Sequence, residues 1–252
     1  MIKADLTFLG HSTVLVEMGG ARILTDPVLT ERVSILRRAT DPPPLDLYTD
    51  IDLVVISHMH LDHVDLPSLR ALGTDIRLLV PRGAGSFMRR VGFTNVEEIA
   101  AGGAMSVRGV SVVATRAEHS GFRPPFGPTA DALGYVLEYD AESVYFAGDT
   151  DIFAQMAELA GVDVALLPVW GWGPRLGPGH MNPGRAADAL RVIRPRAAVP
   201  IHWGTLWPMG MARVMPDRLE QPPLEFAAAA AKRAPEVRIL LTLPGTTVPI
   251  PR

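Results

Sequence analysis

VVISHMHLDHVD, residues 54–65, is the stretch on which the reading of this chain turns. It extends an apolar run that begins at Ile51. IDLVVIS (51–57) is the pattern of a β-strand covered on both faces, as in a largely parallel sheet. Three histidines and two aspartates then fall within eight residues, His58 to Asp65. His58 and His60 alternate along extended chain, so both side chains point the same way. Asp62 and His63 follow as the chain turns toward a helix, for which Asp65 is a good N-cap and Pro67 a good first-turn residue. One metal ion cannot comfortably take four side chains from so short a loop. Two ions can, one on His58 and His60 and the other on Asp62 and His63. The H-x-H-x-D-H spacing is therefore read as a dinuclear signal.

Further ligands have to come from elsewhere in the chain. Of the seven histidines, His119 closes VSVVATRAEH and His202 closes AAVPIH, each just past a predicted strand. Asp149 closes VYFAGD in the same way. Sites in α/β proteins form at the carboxyl ends of strands, so these positions can converge on one edge. Taken singly, each has a plainer reading. His119 and His202 could be satisfied core histidines, and Asp149 could cap a helix starting near Thr150.

The rest of the chain supports an enzyme-sized α/β body. It has 252 residues, 48% of them hydrophobic, no cysteine and a net charge of −3. Thiolate ligands, disulfides and a cysteine nucleophile are excluded. Lysine occurs only at Lys3 and Lys232, and no basic run suggests a nucleic-acid tract. The N-terminal segment carries charges where a signal peptide needs its apolar centre, and no apolar run reaches membrane-spanning length. A soluble, cytoplasmic protein is expected. Strands are predicted at DLTFLG, TVLVEM, ARILTD, IDLVVIS and IRLLVP, then at VEEIA, AMSVRG, VSVVATR, LGYVLEYD and SVYFAGD, and later at VDVALLPV, AAVPIHW and VRILLTL. Helices are predicted at DLPSLRAL, GSFMRRVG, DIFAQMAEL, NPGRAADALRVI and LEFAAAAAKRA. Strands dominate each half and no linker separates the halves. The expectation is one domain over 1–252: an α/β fold with two sheets face to face and helices outside, a four-layer αββα sandwich.

FLGHSTVLVEMGGARILTDPV, ISHMHLDHVDLPSL, the EH at 118–119, YFAGDT, GHMNP and PIHWGT together resemble the metallo-β-lactamase superfamily of hydrolases. GHST, LTDP and HWGT are most similar to the group containing N-acyl-phosphatidylethanolamine phospholipase D and the ascorbate-6-phosphate lactonases. The matching segments run from residue 8 to residue 205. The resemblance implies one metal site of His58, His60 and His119, a second of Asp62, His63 and His202, and Asp149 bridging them. Nitrogen and carboxylate ligands without sulfur suit Zn²⁺, with Mn²⁺ or Fe as alternatives. The resemblance further implies that Asp26 of LTDP orders the ligand loop by hydrogen bonding. It places His180 of GHMNP near the metals, acting in chemistry or in binding. His11 of GHST is expected to support the ligands or the fold rather than to ligate.

The expected chemistry is a hydroxide bridging two cations and attacking a carbonyl carbon or a phosphorus, with Asp62 also orienting or accepting a proton. Phe122, Trp170, Trp172 and Arg175, with Phe126 and Arg123, are candidates for an apolar wall and an anion contact in the substrate pocket. The leading reading is a metal-dependent hydrolase of a small or lipid-like phosphodiester, lactone or ester. A nuclease of the same fold, an iron-dependent oxidative enzyme and a non-catalytic metal-binding protein are the rivals.

Overall fold

The computed structural model describes residues 4–173 and 175–250; Pro174, within the glycine-rich stretch singled out above, lies outside the described residues. In chain order, β1 (Asp5–Gly10), β2 (Thr13–Met18) and β3 (Ala21–Thr25) form a meander, and β4 (Arg32–Val33) and β5 (Leu36–Arg38) a short hairpin. β6 (Leu53–Val55), α1 (Leu66–Leu72), β7 (Leu78–Pro81), α2 (Gly85–Arg90) and β8 (Val96–Ile99) complete the first half. β9 (Ala104–Val107), β10 (Val110–Arg116), β11 (Leu133–Tyr139), β12 (Glu142–Phe146) and β13 (Val164–Pro168) follow. Then come α3 (Pro183–Ile193), β14 (Ala197–Ile201), β15 (Leu206–Pro208), α4 (Gln221–Arg233), β16 (Arg238–Ile239) and β17 (Thr246–Pro249).

Two seven-stranded sheets result, ordered β17-β1-β2-β3-β6-β7-β8 and β16-β14-β13-β12-β11-β10-β9. Each is antiparallel on one side and parallel on the other: β3, β6, β7 and β8 run together, as do β12, β13, β14 and β16. The pleat sorts the apolar residues between layers. Leu53 and Val55 enter the large core, which also holds Leu6, Phe8, Val14 and Val16 of the first sheet and Val112, Leu137 and Val144 of the second. Val54 and Ile56 point the other way, into a second core with Leu69 of α1 and Met88 of α2. That alternation between two buried faces explains the unbroken run in IDLVVIS. Helices α3 and α4 pack on one another and bury Ala186, Leu190, Phe226 and Ala230 in the large core. The fold is the four-layer αββα sandwich.

Asp65 caps α1 by accepting from Ser68 N, and Asn182 caps α3 by accepting from Arg185 N. Three expectations need correction. DIFAQMAEL forms only a 3₁₀ segment, Ala154–Leu159, because Phe153 before it is extended and has no capping side chain. VRILLTL keeps only Arg238–Ile239 in the sheet; Thr246–Pro249 is the real closing strand, paired antiparallel with β1. A third sheet, β15-β5-β4, was not foreseen. Its strands are two or three residues long, too short for a period to show. It is held by a satellite core of Val28, Val33, Leu36 and Leu206, against which Leu61 packs.

Candidate metal centre

The site lies where strands running in one direction end. Beyond β1 comes His11, beyond β3 Asp26, and beyond β6 the run His58–His63. His119 follows β10, Asp149 follows β12 and His202 follows β14. Two turns need glycine. Gly148, at φ +59°, brings Asp149 in so close that an added Cβ would lie 2.5 Å from Ser57 Cβ. Gly179, at φ +77°, presses on His119, where a Cβ would come within 3.0 Å of Nδ1. His11, Asp26 and His202 also have positive φ (54°, 33° and 61°) without being glycine. Such residues cost about 1–3 kcal/mol each and persist where surrounding contacts over-determine them. Those contacts are present: His202 N donates to His11 O at 2.7 Å, and His11 N to Thr205 Oγ1 at 2.7 Å. The GHST and HWGT motifs are thus bonded to each other.

Two of the convergent donor sets are His58, His60 and His119, and Asp62, His63 and His202 with His11; Asp26, His58 and His63, and His119, Asp149 and His180, converge as well. His119 Nε2 lies 3.1 Å from His60 Nδ1, and His63 Nε2 lies 3.1 Å from His202 Nε2. Two nitrogens about 2.0–2.1 Å from a tetrahedral ion are roughly 3.3 Å apart, so both spacings suit shared coordination. Asp149 Oδ2 spans the sets: it is 3.1 Å from His202 Nε2, 3.3 Å from His63 Nε2, 3.5 Å from His180 Nε2 and 3.9 Å from His119 Nε2. His58 Nε2 and Asp149 Oδ1 are buried without a hydrogen-bond partner. Orphaned polar atoms of this kind are costly in a protein interior, and a cation satisfies both. The donor set therefore fits divalent metal.

The other ring nitrogens are held. His63 Nδ1 donates to Asp26 Oδ2 (2.7 Å), His119 Nδ1 to Gly179 O (2.8 Å) and His202 Nδ1 to Trp170 O (2.9 Å). His58 Nδ1 contacts Ser57 Oγ at 2.9 Å. These contacts fix each ring's tautomer and aim its Nε2 at the centre. Asp26, fully buried, also accepts from Ser57 N and Ser57 Oγ. It thereby ties the end of β3 to Ser57 and His63 of the ligand loop. His11 Nε2 donates to Asp62 Oδ2 at 3.0 Å.

The local charges are strongly coupled. Burial alone would raise Asp149, but His202 and His63 and their hydrogen bonds outweigh it and hold the carboxyl well below its usual range. Burial would lower His202, yet Asp149 lifts it to about 9. Burial brings His119 down to about 4 and His11 to about 3, which leaves both imidazoles neutral near pH 7.

A pocket of about 380 Å³ opens over the centre, within the range of small-ligand sites. Its floor includes His60, Asp62, Asp149, His180 and His202. Its walls include Trp172, Arg175 and Leu176 on one side and Val33, Ile35 and Leu36 of the β4–β5 hairpin on the other. The hairpin wall escaped the sequence reading because nothing in VSILR marks it as neighbour to a metal loop.

Other expected pocket residues lie elsewhere. Phe122 and Phe126 are exposed and not among the lining residues. Trp170 supplies its carbonyl to His202 while Arg218 covers its ring at 4.9 Å. Arg123 is no anion contact. It is buried and donates Nη1 to Met59 O (3.1 Å) and Val64 O (3.0 Å), bracing the ligand loop from behind. Arg123→Met should orphan those carbonyls and destabilise the fold by about 2 kcal/mol, or roughly 4–8 °C in a thermal melt. An unchanged melting temperature would show the bracing to be dispensable.

Residues 21–203 match the model of a beta-lactamase superfamily domain. The chain belongs to the metallo-β-lactamase superfamily of metal-dependent hydrolases. A superfamily relative named as a metal-dependent hydrolase, from Methanopyrus kandleri, is 30% identical over 246 residues, covering 95% of this chain and 97% of its own length. N-acyl-phosphatidylethanolamine-hydrolyzing phospholipase D 1 of Caenorhabditis elegans is 31% identical over 230 residues, or 81% of this chain; the match spans 64% of that longer protein. A solved metallo hydrolase from the archaeon Ignicoccus hospitalis shares the superfamily fold with a TM-score of 0.75 and 26% identity over 100% of both chains. Among the described residues, no helix is long and apolar enough to cross a membrane.

Proposed function

We propose that this metallo-β-lactamase-fold hydrolase carries two divalent ions. His58, His60 and His119 would hold one, Asp62, His63 and His202 the other, and Asp149 both. The observation that carries the reading is one Asp149 oxygen set within 3.1–3.9 Å of histidines from each set. Zinc fits the nitrogen-rich, sulfur-free donors best, with Mn²⁺ or Fe as alternatives. When bound, the ions supply Lewis acidity and water activated at neutral pH.

The protein's own groups do the rest. Asp62 is held by His11 on one oxygen and lines the pocket, where it can orient a water or accept its proton. His180 presents Nε2 toward Asp149, while Nδ1 lies 3.2 Å from the carbonyls of Gly177 and Pro178. With Nδ1–H directed at those carbonyls, Nε2 is left free on the pocket side, beside Asp149. Protonated, it can hand its proton to a leaving oxygen or balance negative charge. The apolar walls and Arg175 suit an amphipathic substrate with an anionic group, so the class proposed is a small or lipid-like phosphodiester, lactone or ester. The phospholipase relative supports the lipid-like end of that class.

Elemental analysis after saturation should return two ions per chain; one tightly bound ion would refute the dinuclear reading. Small phosphodiesters, lactones and acyl esters should be turned over with little dependence on salt. Efficient cutting of structured RNA or DNA, with those small substrates untouched and affinity falling steeply as salt rises, would favour a nuclease instead. His180→Ala should keep its metal and lose about 10²-fold in turnover, the usual scale for a positioned acid or base. Wild-type turnover in that variant would leave His180 a bystander.

A further inference from the structure

One strap, residues 170–173 and 175–180, touches both donor sets. Trp170 O accepts from His202 Nδ1, Gly179 O accepts from His119 Nδ1, and His180 Nε2 lies 3.5 Å from Asp149 Oδ2. The remaining contact is different in kind. Trp172 Nε1 donates to Asp62 Oδ2 at 2.9 Å, a side chain of the pocket wall bonded to a carboxylate on the pocket floor. The other donor to that oxygen, His11, is fixed through its backbone by Thr205 and His202. Asp62 Oδ2 also sits 3.7 Å from His202 Nε2 and 3.8 Å from His63 Nε2, so it faces the second set. Flanked by Gly171 and Gly173, and with the indole of Trp170 donating to Gly173 O, the strap presents the Trp172 ring edge-on to the carboxylate.

We propose that Trp172 is a positioning residue: its indole N–H, together with His11, holds Asp62 in the orientation that completes the His63–His202 set. The proposal rests on the two-ion reading above. The indole is thereby assigned a task that its apolar area does not explain. A tryptophan serving only as a wall needs no N–H, and phenylalanine would replace it. Outer partners of ligands typically tune metal affinity by about 10–100-fold. The link also runs in reverse, because whatever moves the strap on entering the pocket moves Asp62 with it.

The test is Trp172→Phe, which keeps an aromatic wall and removes only the donor. Chelated wild type and variant are titrated with Zn²⁺ against a chromophoric chelator, with no substrate present, and again with Co²⁺ while its visible spectrum is followed. The first ion, on His58, His60 and His119, is the internal control for folding. The expected result is an unchanged first affinity, a second affinity weakened by about 10–100-fold, and an altered cobalt spectrum for the second ion only. Equal or tighter binding of the second ion in the variant, with the same spectrum, overturns the proposal while leaving the two-ion reading intact. If wild type takes up no second ion, the two-ion reading itself fails and the proposal falls with it. Should Trp172→Phe lose the first ion as well, the indole is structural and the positioning role is again overturned.

Discussion

Asp149→Ala is expected to lose metal from both donor sets at once and to abolish hydrolysis. Its Oδ2 is the atom that reaches histidines of both sets, and its Oδ1 is buried with no hydrogen-bond partner among the described residues. Replacing any one histidine removes a ligand from one set; replacing Asp149 removes one from each. Losing the metals forfeits several kcal/mol of charge stabilisation, so turnover should drop by about 10⁴-fold, at one decade per ~1.4 kcal/mol. Elemental analysis of the variant after gel filtration checks the first half. Loss from one set alone would show that Asp149 is not shared. The chelated proteins provide an independent readout. Asp149 lifts His202 from 6.5 to about 9 in the folded chain. That pair therefore stabilises the fold fully below pH 6.5, and its contribution is lost as pH rises through about 9. The stability gap between chelated wild type and chelated Asp149→Ala should be wide at pH 6 and narrower above pH 9.

Asp26→Asn should fold and still fail to hold the second ion. Asp26 is fully buried, with Ser57 N on one oxygen and Ser57 Oγ and His63 Nδ1 on the other. Asparagine keeps the oxygen for Ser57 N but turns an N–H toward His63 Nδ1. That nitrogen must then accept, which drives the His63 proton to Nε2, the atom that faces His202 and Asp149. Protonated there, His63 cannot ligate. Second-set affinity should fall by at least the ~100-fold upper end for outer partners, with the first set nearly unaffected. Asp26→Ala is the harsher change: it orphans the Ser57 N–H and the His63 N–H in the interior, at about 1–3 kcal/mol each. Chelator competition separates the metal effect and chemical denaturation the stability effect. Full occupancy of both sets in Asp26→Asn would remove Asp26 from any part in fixing the tautomer.

The local chemistry of this protein is legible in the chain. The strand–loop–helix at 51–72 can be read because its signals are short-range: a double-faced apolar run, alternating histidines, an aspartate cap and a proline at the helix start. The pairing of His58 with His60 is likewise set by alternation along extended backbone, and that of Asp62 with His63 by the turn that follows, where His63 N and Val64 N bond back to His60 O. That His119, Asp149 and His202 each lie just past a strand was also visible, because strand ends are marked by where apolar periodicity stops.

The tertiary structure decided what depends on non-local contact. Whether those strand ends meet is a matter of sheet order and direction. The parallel registers of β12, β13 and β14 bring Asp149 beside His202, and the packing of the two sheets brings it to His63 of the other sheet. Arg123 and Arg175 look alike in sequence, but one is buried against two carbonyls of the ligand loop and the other lines the pocket. Trp170 and Trp172 are two residues apart, yet one lends a carbonyl to His202 and the other an indole N–H to Asp62. The β4–β5 hairpin became a pocket wall through pairing with β15, some 170 residues away along the chain. A side chain's type fixes which bonds it can make, but which of them it makes depends on what the rest of the fold brings within about 3 Å.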